Sequence, residues 1–378
     1  MAWVERVEEG KKWRGAYRDA EGKKRRKTFD KKREAQAWAN QMELEAAELK
    51  GLPSGEVKFS VYANEWAAAQ IQRRESTRAN TASLLRSHVL PRIGDTALWD
   101  ITTTELQAWV GELTETHAPE TIGKVIRVVR QVLDAAVREE RVRSNVARAV
   151  NLPPVRPSEM TFLTSDELGQ MIQLVGALTH GVDHNGEKIT GTYKALVATL
   201  GTCGLRIGEA AALKRSDIVR GTGGLNLIRV RRTLSEVQGR LVEGEPKTAR
   251  ARRDVPIPAP VWALIEAHVE TTGLVAREMG IERPRLFLSP LGRPVRSRNV
   301  RRDVIAKVVD ELGKPRLRVH DLRHTAISLW IASGIDPNAV AALAGHSSVS
   351  TVFDRYGHLW PNRAEEHMRG LDLPDLGT

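Results

Sequence analysis

The chain has 378 residues, more than one typical domain holds, with a net charge of +11 and a single cysteine, Cys203. That length predicts two or three domains, and the excess of Lys and Arg points to a polyanionic partner, either nucleic acid or an acidic membrane surface. One thiol excludes an internal disulfide framework and fits a reducing compartment, and no apolar run approaches the roughly 18 residues of a membrane helix.

The segment beginning Met1-Ala2-Trp3-Val4-Glu5 is charged and lacks the apolar core of a secretory signal, so the protein is expected to stay in the cytoplasm. Its basic residues are scattered over segments of different periodicity, which argues against a membrane-binding helix. Trp13 to Arg18 and Lys23 to Phe29 flank Asp19-Ala20-Glu21-Gly22, a turn-forming tetrad, and together predict a β-hairpin. Alternation puts Trp13 and Tyr17 on one face and Arg14 and Arg18 on the other. Asp30 can cap a following helix in which Ala35, Trp38, Ala39, Met42, Ala46 and Leu49 recur at helical spacing. A small sheet covered on one side by a helix leaves a basic face, with Arg14, Arg18, Lys24 and Arg26, free to enter a DNA major groove. Gly51-Leu52-Pro53-Ser54-Gly55 has linker composition and should end this domain near residue 54.

Four helical patterns follow. Phe59, Tyr62, Ala63 and Trp66 mark the first, and Ser76 opens a second with Leu84, Leu85 and His88. Thr102 and Glu105 form a capping-box signature before Leu106, Trp109 and Leu113. Pro119 starts the last, with Ile122, Val125, Ile126, Val129, Val132, Leu133 and Ala136 on its apolar face and Lys124, Arg127, Arg130 and Arg138 off it. Short connections imply an all-α bundle, and Asn151-Leu152-Pro153-Pro154-Val155-Arg156-Pro157 cannot continue a helix, so it reads as an interdomain linker.

Thr164 and Glu167 repeat the capping box ahead of Leu168, Met171, Ile172 and Val175. The polar stretch from His180 to Thr192 is expected to be a surface loop; its pair His180 and His184 has no evident third ligand, so no metal is expected. In Cys203-Gly204-Leu205-Arg206-Ile207-Gly208-Glu209, Gly204 permits a sharp turn into a helix that puts Glu209 one turn beyond Arg206. Cys203 is read as a small buried side chain. Strand composition runs from Leu225 to Thr233 and again from Arg253 to Ile257, with Lys247 between them. Trp262, Ile265 and Val269 continue as a helix, and another starts near Ser297 among Arg296, Arg298, Arg301 and Arg302. The chain then reads His320-Asp321-Leu322-Arg323-His324, Gly345-His346 and Tyr356. His320 and Arg323, three apart, can present donors to one phosphate, while Leu322, Ala326, Leu329 and Trp330 bury the neighbouring face.

This ordered set, G-L-R-x-x-E, H-x-x-R, G-H and a late Tyr, resembles the tyrosine site-specific recombinases of the phage integrase family. Ala344 departs from the Leu commonly found before Gly-His. The resemblance implies a multidomain protein: a small N-terminal α+β arm-binding domain (three-stranded sheet plus helix, 1–54), an all-α core-binding domain (55–157), and a mixed, mainly α catalytic domain with a small antiparallel sheet (158–378). It implies Arg206, Lys247, His320, Arg323, His346 and the nucleophile Tyr356 as catalytic residues, with Glu209 in support of Arg206. It also implies strand exchange through a 3′-phosphotyrosine link and a Holliday junction in a homotetramer on double-stranded DNA, at core and arm sites in a bacterial nucleoid, with a directionality factor or DNA-bending protein as candidate partners. The segment His358 to Thr378 is expected to dock on a neighbouring subunit.

The chemistry of these side chains is consistent with that. A phenol of pKa near 10 is a weak nucleophile at neutral pH, so Tyr356 needs a proton acceptor and an electrophile held in line. Two guanidinium groups can clamp a phosphodiester, His320 can accept or relay the phenolic proton, and His346 can donate to a phosphoryl oxygen. Lys247 can protonate the departing 5′ oxygen, and no metal, nucleotide or other cofactor is needed. A type IB topoisomerase shares this chemistry, but the arm-like N-terminus favours integration. A non-catalytic DNA binder and a metal-dependent transposase are further alternatives, the latter opposed by the lack of a clear carboxylate triad.

Overall fold

The computed structural model describes residues 3–7, 12–18, 23–49, 56–155, 160–182, 188–246, 248–278, 280 and 285–360. The expected turn at Asp19 to Gly22, the Gly51 to Gly55 linker, His184, Lys247 and the tail beyond Trp360 lie outside these residues. The chain divides into two compact units, Met1–Pro157 and Ser158–Thr378.

The first unit begins with an antiparallel sheet of β1 (Trp3–Arg6), β2 (Trp13–Arg18) and β3 (Lys24–Phe29), followed by α1 (Lys32–Leu49). Gly15 faces the helix so closely that a Cβ would lie 2.6 Å from the Ala35 carbonyl oxygen, and Trp38 packs its ring on Tyr17 and Phe29, each at 5.6 Å. Cross-strand partners share a face, so the register Arg14↔Thr28, Ala16↔Arg26 and Arg18↔Lys24 gathers Arg14, Arg18, Lys24 and Arg26 on the side away from α1. Strand β1 adds Glu5 to that face, 3.7 Å from Arg14 and 4.0 Å from Lys24, and the Lys24 ammonium lies 4.6 Å from the Trp3 ring centroid.

The bundle comprises α2 (Phe59–Ala69), α3 (Glu75–Leu84) running through a π turn (Leu85–Val89) into α4 (Leu90–Ile93), α5 (Thr103–Thr114) and α6 (Pro119–Arg138). α3 starts at Glu75, a residue before the expected Ser76. The Thr102–Glu105 capping box forms, and all seven apolar positions read for α6 are buried. Lys124 and Arg127 are exposed. Arg130 is instead committed to structure: its guanidinium donates to the carbonyls of Ala147 and Val150, each at 2.9 Å, and ties down the chain after α6.

In the second unit, α7 (Ser165–Ala177) opens with the expected Thr164–Glu167 capping box. The stretch expected to be a surface loop instead forms a hairpin, β4 (Thr179–Val182) with β5 (Lys188–Thr190), and the His180 ring packs edge-on against buried Tyr193 at 5.0 Å. Aromatic packing gives the polar strand an anchor that its composition does not announce. Helix α8 (Lys194–Cys203) is buried nearly all round, packed by α7, α10 (Ala259–Glu278) and α13 (Asp321–Ala332). After α9 (Ile207–Ala212), a sheet forms from β6 (Ile218–Arg220), β7 (Asn226–Val230) and β10 (Arg253–Pro256) in the order β10-β7-β6. A second hairpin, β8 (Thr233–Val237) and β9 (Arg240–Gly244), stands between β7 and β10 in sequence. Its two-residue turn puts Gln238 at φ 48° and Gly239 at φ 79°. Lys247 therefore falls between β9 and β10, which belong to different sheets. The described residues continue through α11 (Ser297–Val300), a π turn (Arg301–Ile305), α12 (Ala306–Val308), α13, α14 (Pro337–Ala344) and α15 (Ser350–Tyr356). No helix among the described residues is long and apolar enough to cross a membrane.

Candidate active site

The site is built on two chain reversals beside α13. α8 ends at Gly204, which adopts φ +61°, and a Cβ there would meet the Trp330 ring at 2.6 Å. α14 ends at Gly345, φ +65°, where a Cβ would lie 3.1 Å from Arg253 Cδ and 3.2 Å from Ala251 Cα. Both positions combine a left-handed backbone with close packing, which explains why G-L-R and G-H carry glycine. The orphan carbonyls at these helix ends need donors, and Arg323 supplies them. Its Nη1 donates to Gly204 O at 2.6 Å and its Nη2 to Ala344 O. Arg323 is only 3% exposed, and each of those nitrogens carries a second hydrogen for another acceptor. Burial, with Arg206 beside it, pushes the Arg323 pKa down to about 9, which leaves it charged at neutral pH.

Arg206 caps α9, and Glu209 receives it twice: Oε2 accepts the Arg206 backbone N–H at 2.9 Å and Oε1 accepts Nη1 at 2.8 Å. The Glu209 carboxylate is 3% exposed while the Arg206 side chain is 40% exposed, so the acid is the buried support and the arginine looks outward. Burial by itself would raise the Glu209 pKa; Arg253 and Arg206 outweigh it and hold the group below the usual carboxylate range. Arg253 reaches the same carboxylate from β10, Nη2 to Oε2 at 3.0 Å.

His320 stands as the exposed cap of α13. Partial burial of its ring and the Arg323 and Arg206 charges lower its pKa. One turn on, His324 is 5% exposed, and its ring meets that of His320 edge-on at 4.9 Å. The phenol of Tyr356, only 1% exposed, is hydrogen bonded to His324 Nδ1. Burial pushes the Tyr356 pKa up to about 12, and burial with the His320 ring pushes His324 down to about 4, so at neutral pH the pair is a phenol on a neutral imidazole. His346 follows Gly345 with Nδ1 buried and without a hydrogen-bond partner among the described residues; burial and the charges of Arg323 and Arg206 set its pKa at about 4.

Five of the six expected catalytic side chains thus belong to one hydrogen-bonded and electrostatically coupled framework, and Lys247 lies outside the described residues. Two members were not foreseen. His324 sits in the H-x-x-R-H run, but its role shows only once Tyr356 is folded back on it. Arg253 had a usable signal, because alternation along β10 puts it on the buried face with Val255 and Ile257. Cys203 is buried, and burial pushes its thiol up to about 12, as suits packing and not nucleophilic attack. No group of three possible metal ligands occurs among the described residues.

A buried arginine bridging two helix ends, a supported second arginine and a phenol on histidine, carried on this helical fold, define a tyrosine recombinase. Residues 161–363 match the model of the phage integrase family and residues 59–152 that of the phage integrase central domain; the chain belongs to the phage integrase family and is a DNA-recombining enzyme of the tyrosine recombinase class. It is 25% identical over 311 residues to the ICEBs1 integrase of Bacillus subtilis, covering 81% of this chain and 80% of that protein. It is 26% identical over 332 residues to the integrase of Mycobacterium phage L5, covering 85% and 83%. In fold it is similar to the Tn1549 transposon integrase in complex with transposon right end DNA, with TM-score 0.65 and 18% identity over 84% of this chain and 100% of that one. A lambda integrase tetramer bound to a Holliday junction superposes at TM-score 0.54 with 18% identity over 89% of this chain and 94% of that one.

Proposed function

We propose that the chain is a site-specific recombinase that integrates, and in reverse excises, a mobile element. Tyr356 attacks a phosphodiester to form a 3′-phosphotyrosine link and free a 5′-hydroxyl; the P–O5′ bond breaks as the Tyr356 O–P bond forms. Arg206 and Arg323 offset the charge of the pentacoordinate transition state, and His346 donates to a non-bridging oxygen. His324, to which the phenol is hydrogen bonded, is the nearest acceptor for its proton, and His320, edge-on to that ring, relays the proton outward. Lys247 delivers a proton to the leaving 5′ oxygen. Because the phosphoester is retained, rejoining is close to isoenergetic and consumes no nucleotide. Two such exchanges on paired attachment sites pass through a Holliday junction in a homotetramer. Residues 1–54 engage arm sites, using Arg14, Arg18, Lys24 and Arg26. Residues 55–157, with Lys124 and Arg127 outward, and residues 158–378 together clamp the core site.

The observation that carries this reading is the Arg323 guanidinium, which ties the backbone two residues before Arg206 to the backbone two residues before His346, while the adjacent His324 holds Tyr356. The test is a two-plasmid assay using the sequences at the element's own chromosomal borders. Recombinant junctions are expected. Relaxation of supercoils without joining would favour a type IB topoisomerase, and binding without either would favour an architectural protein.

A further inference from the structure

We propose that Arg253 is a positioning residue for DNA cleavage: its guanidinium spans the Glu209 carboxylate behind Arg206 and the Leu343 carbonyl ahead of His346, and so holds the two ends of the anion pocket in register. The inference rests on the recombinase reading of that pocket.

Arg253 opens β10 with its side chain 5% exposed, so every N–H it carries needs a partner in the protein. Nη2 meets Glu209 Oε2 at 3.0 Å, Nη1 meets Ala251 O at 3.2 Å, and Nε donates to Leu343 O. These acceptors lie on α9, on the segment before β10 and at the end of α14. Leu343 and Ala344 are the last residues of α14, and their carbonyls are taken by Arg253 and Arg323 respectively, so two guanidinium groups cover the negative end of the helix that presents His346. Arg250, from the same strand connection, adds a bond from Nη1 to Ser347 O at 2.6 Å. A planar fork is required for this task. Lys would bring one nitrogen and could serve Glu209 or Leu343, not both.

The arrangement has an electrostatic consequence. Glu209 faces Arg206 at the head of α9, Arg253 on β10 and Arg323 on α13, and His346 beyond α14 faces Arg253, Arg323, Arg206 and Arg355. Without Arg253, the burial that favours protonated Glu209 meets one cation fewer, and Glu209 holds a proton at higher pH. Once neutral, it no longer draws the Arg206 guanidinium into place.

The test uses the full chain and a nicked duplex carrying its mapped core site, with affinity by gel shift and single-turnover covalent attachment from pH 6 to 9. R253M is expected to bind within about twofold of wild type but to attach about tenfold or more slowly, with a rate that climbs as pH rises while that of wild type stays flat. R253M/E209Q should be slow without that climb. R253K keeps the charge that ionises Glu209 and so should fold even if R253M does not; it is expected to attach about tenfold slower with a flat profile. An R253K rate equal to wild type would overturn the inference. So would an R253M loss that is uniform in pH, since that is all a purely structural arginine would give. Failure of the wild-type chain to attach at all would instead sink the recombinase reading, and this inference with it.

Discussion

Two regions of this chain are rich in arginine, and they treat it in opposite ways. On the N-terminal sheet, Arg14, Arg18, Lys24 and Arg26 share one face, and the ion pairs of Glu5 with Arg14 and Lys24 are long, 3.7 and 4.0 Å, with side chains 31–38% exposed. Around α13, Arg253 and Arg323 are buried at 8% and 3% exposure, and their nitrogens are directed at named carbonyls and a carboxylate. An exposed cation is held by solvent and tolerates a shift along its strand. A buried one must be matched donor by donor, so the residues that receive it are specified too. The sheet face is therefore a distribution of charge, and the surroundings of α13 are a network of matched donors and acceptors.

Removing charge should separate the regions sharply. R323A strips donors from Gly204 O and Ala344 O and takes a cation from the phosphate. It is expected to lower covalent attachment by about 10²–10³-fold and stability by about 2–5 kcal/mol, read by single-turnover assay and urea denaturation. R206A should cost as much in attachment but only about 1–2 kcal/mol in stability, because Arg253 still faces Glu209. Equal stability losses would break the distinction between the buried and the outward arginine.

Acid provides a second separation. His268 and His324 are buried, and burial first of all sets each pKa at about 4 against an ordinary 6.5. Both states hold these rings neutral above pH 6.5, so stability there is full. Below it the unfolded chain binds protons that the fold excludes, and stability of the second unit falls down to about pH 4, by on the order of 1 kcal/mol per pH unit for each ring. Hydrogen exchange at pH 7 and pH 5 should show α8 and α13 losing protection, and H324Q should lessen the loss. Unchanged protection at pH 5 would contradict the burial of these imidazoles.

The smallest effects belong to the sheet face. R26A should change stability by no more than about 0.5 kcal/mol while lowering the salt slope of arm-DNA binding by about 1. A large stability loss would mean that this side chain is structural after all.

The same contrast governs what the sequence made legible. Helices with long apolar periodicity, such as α6, and both capping boxes form as read, because many residues agree on one geometry. Gly204, Arg206, Glu209, Arg323 and Gly345 were legible because buried polar groups leave little freedom in spacing. The hairpins β4–β5 and β8–β9 were missed: each strand is five residues or fewer, and Gln238 is an uncommon occupant of a positive φ. His324 and Arg253 escaped because their partners, Tyr356 and Leu343, lie 32 and 90 residues away in sequence, and no local period encodes such a contact.

The most direct measurement is peptide mapping of the covalent adduct trapped on a nicked core-site duplex. The account predicts a 3′-phosphonucleotide on the phenolic oxygen of Tyr356 in the wild-type chain, and no adduct from Y356F at DNA occupancy equal to wild type. An adduct on any other residue, or one that survives in Y356F, would contradict it.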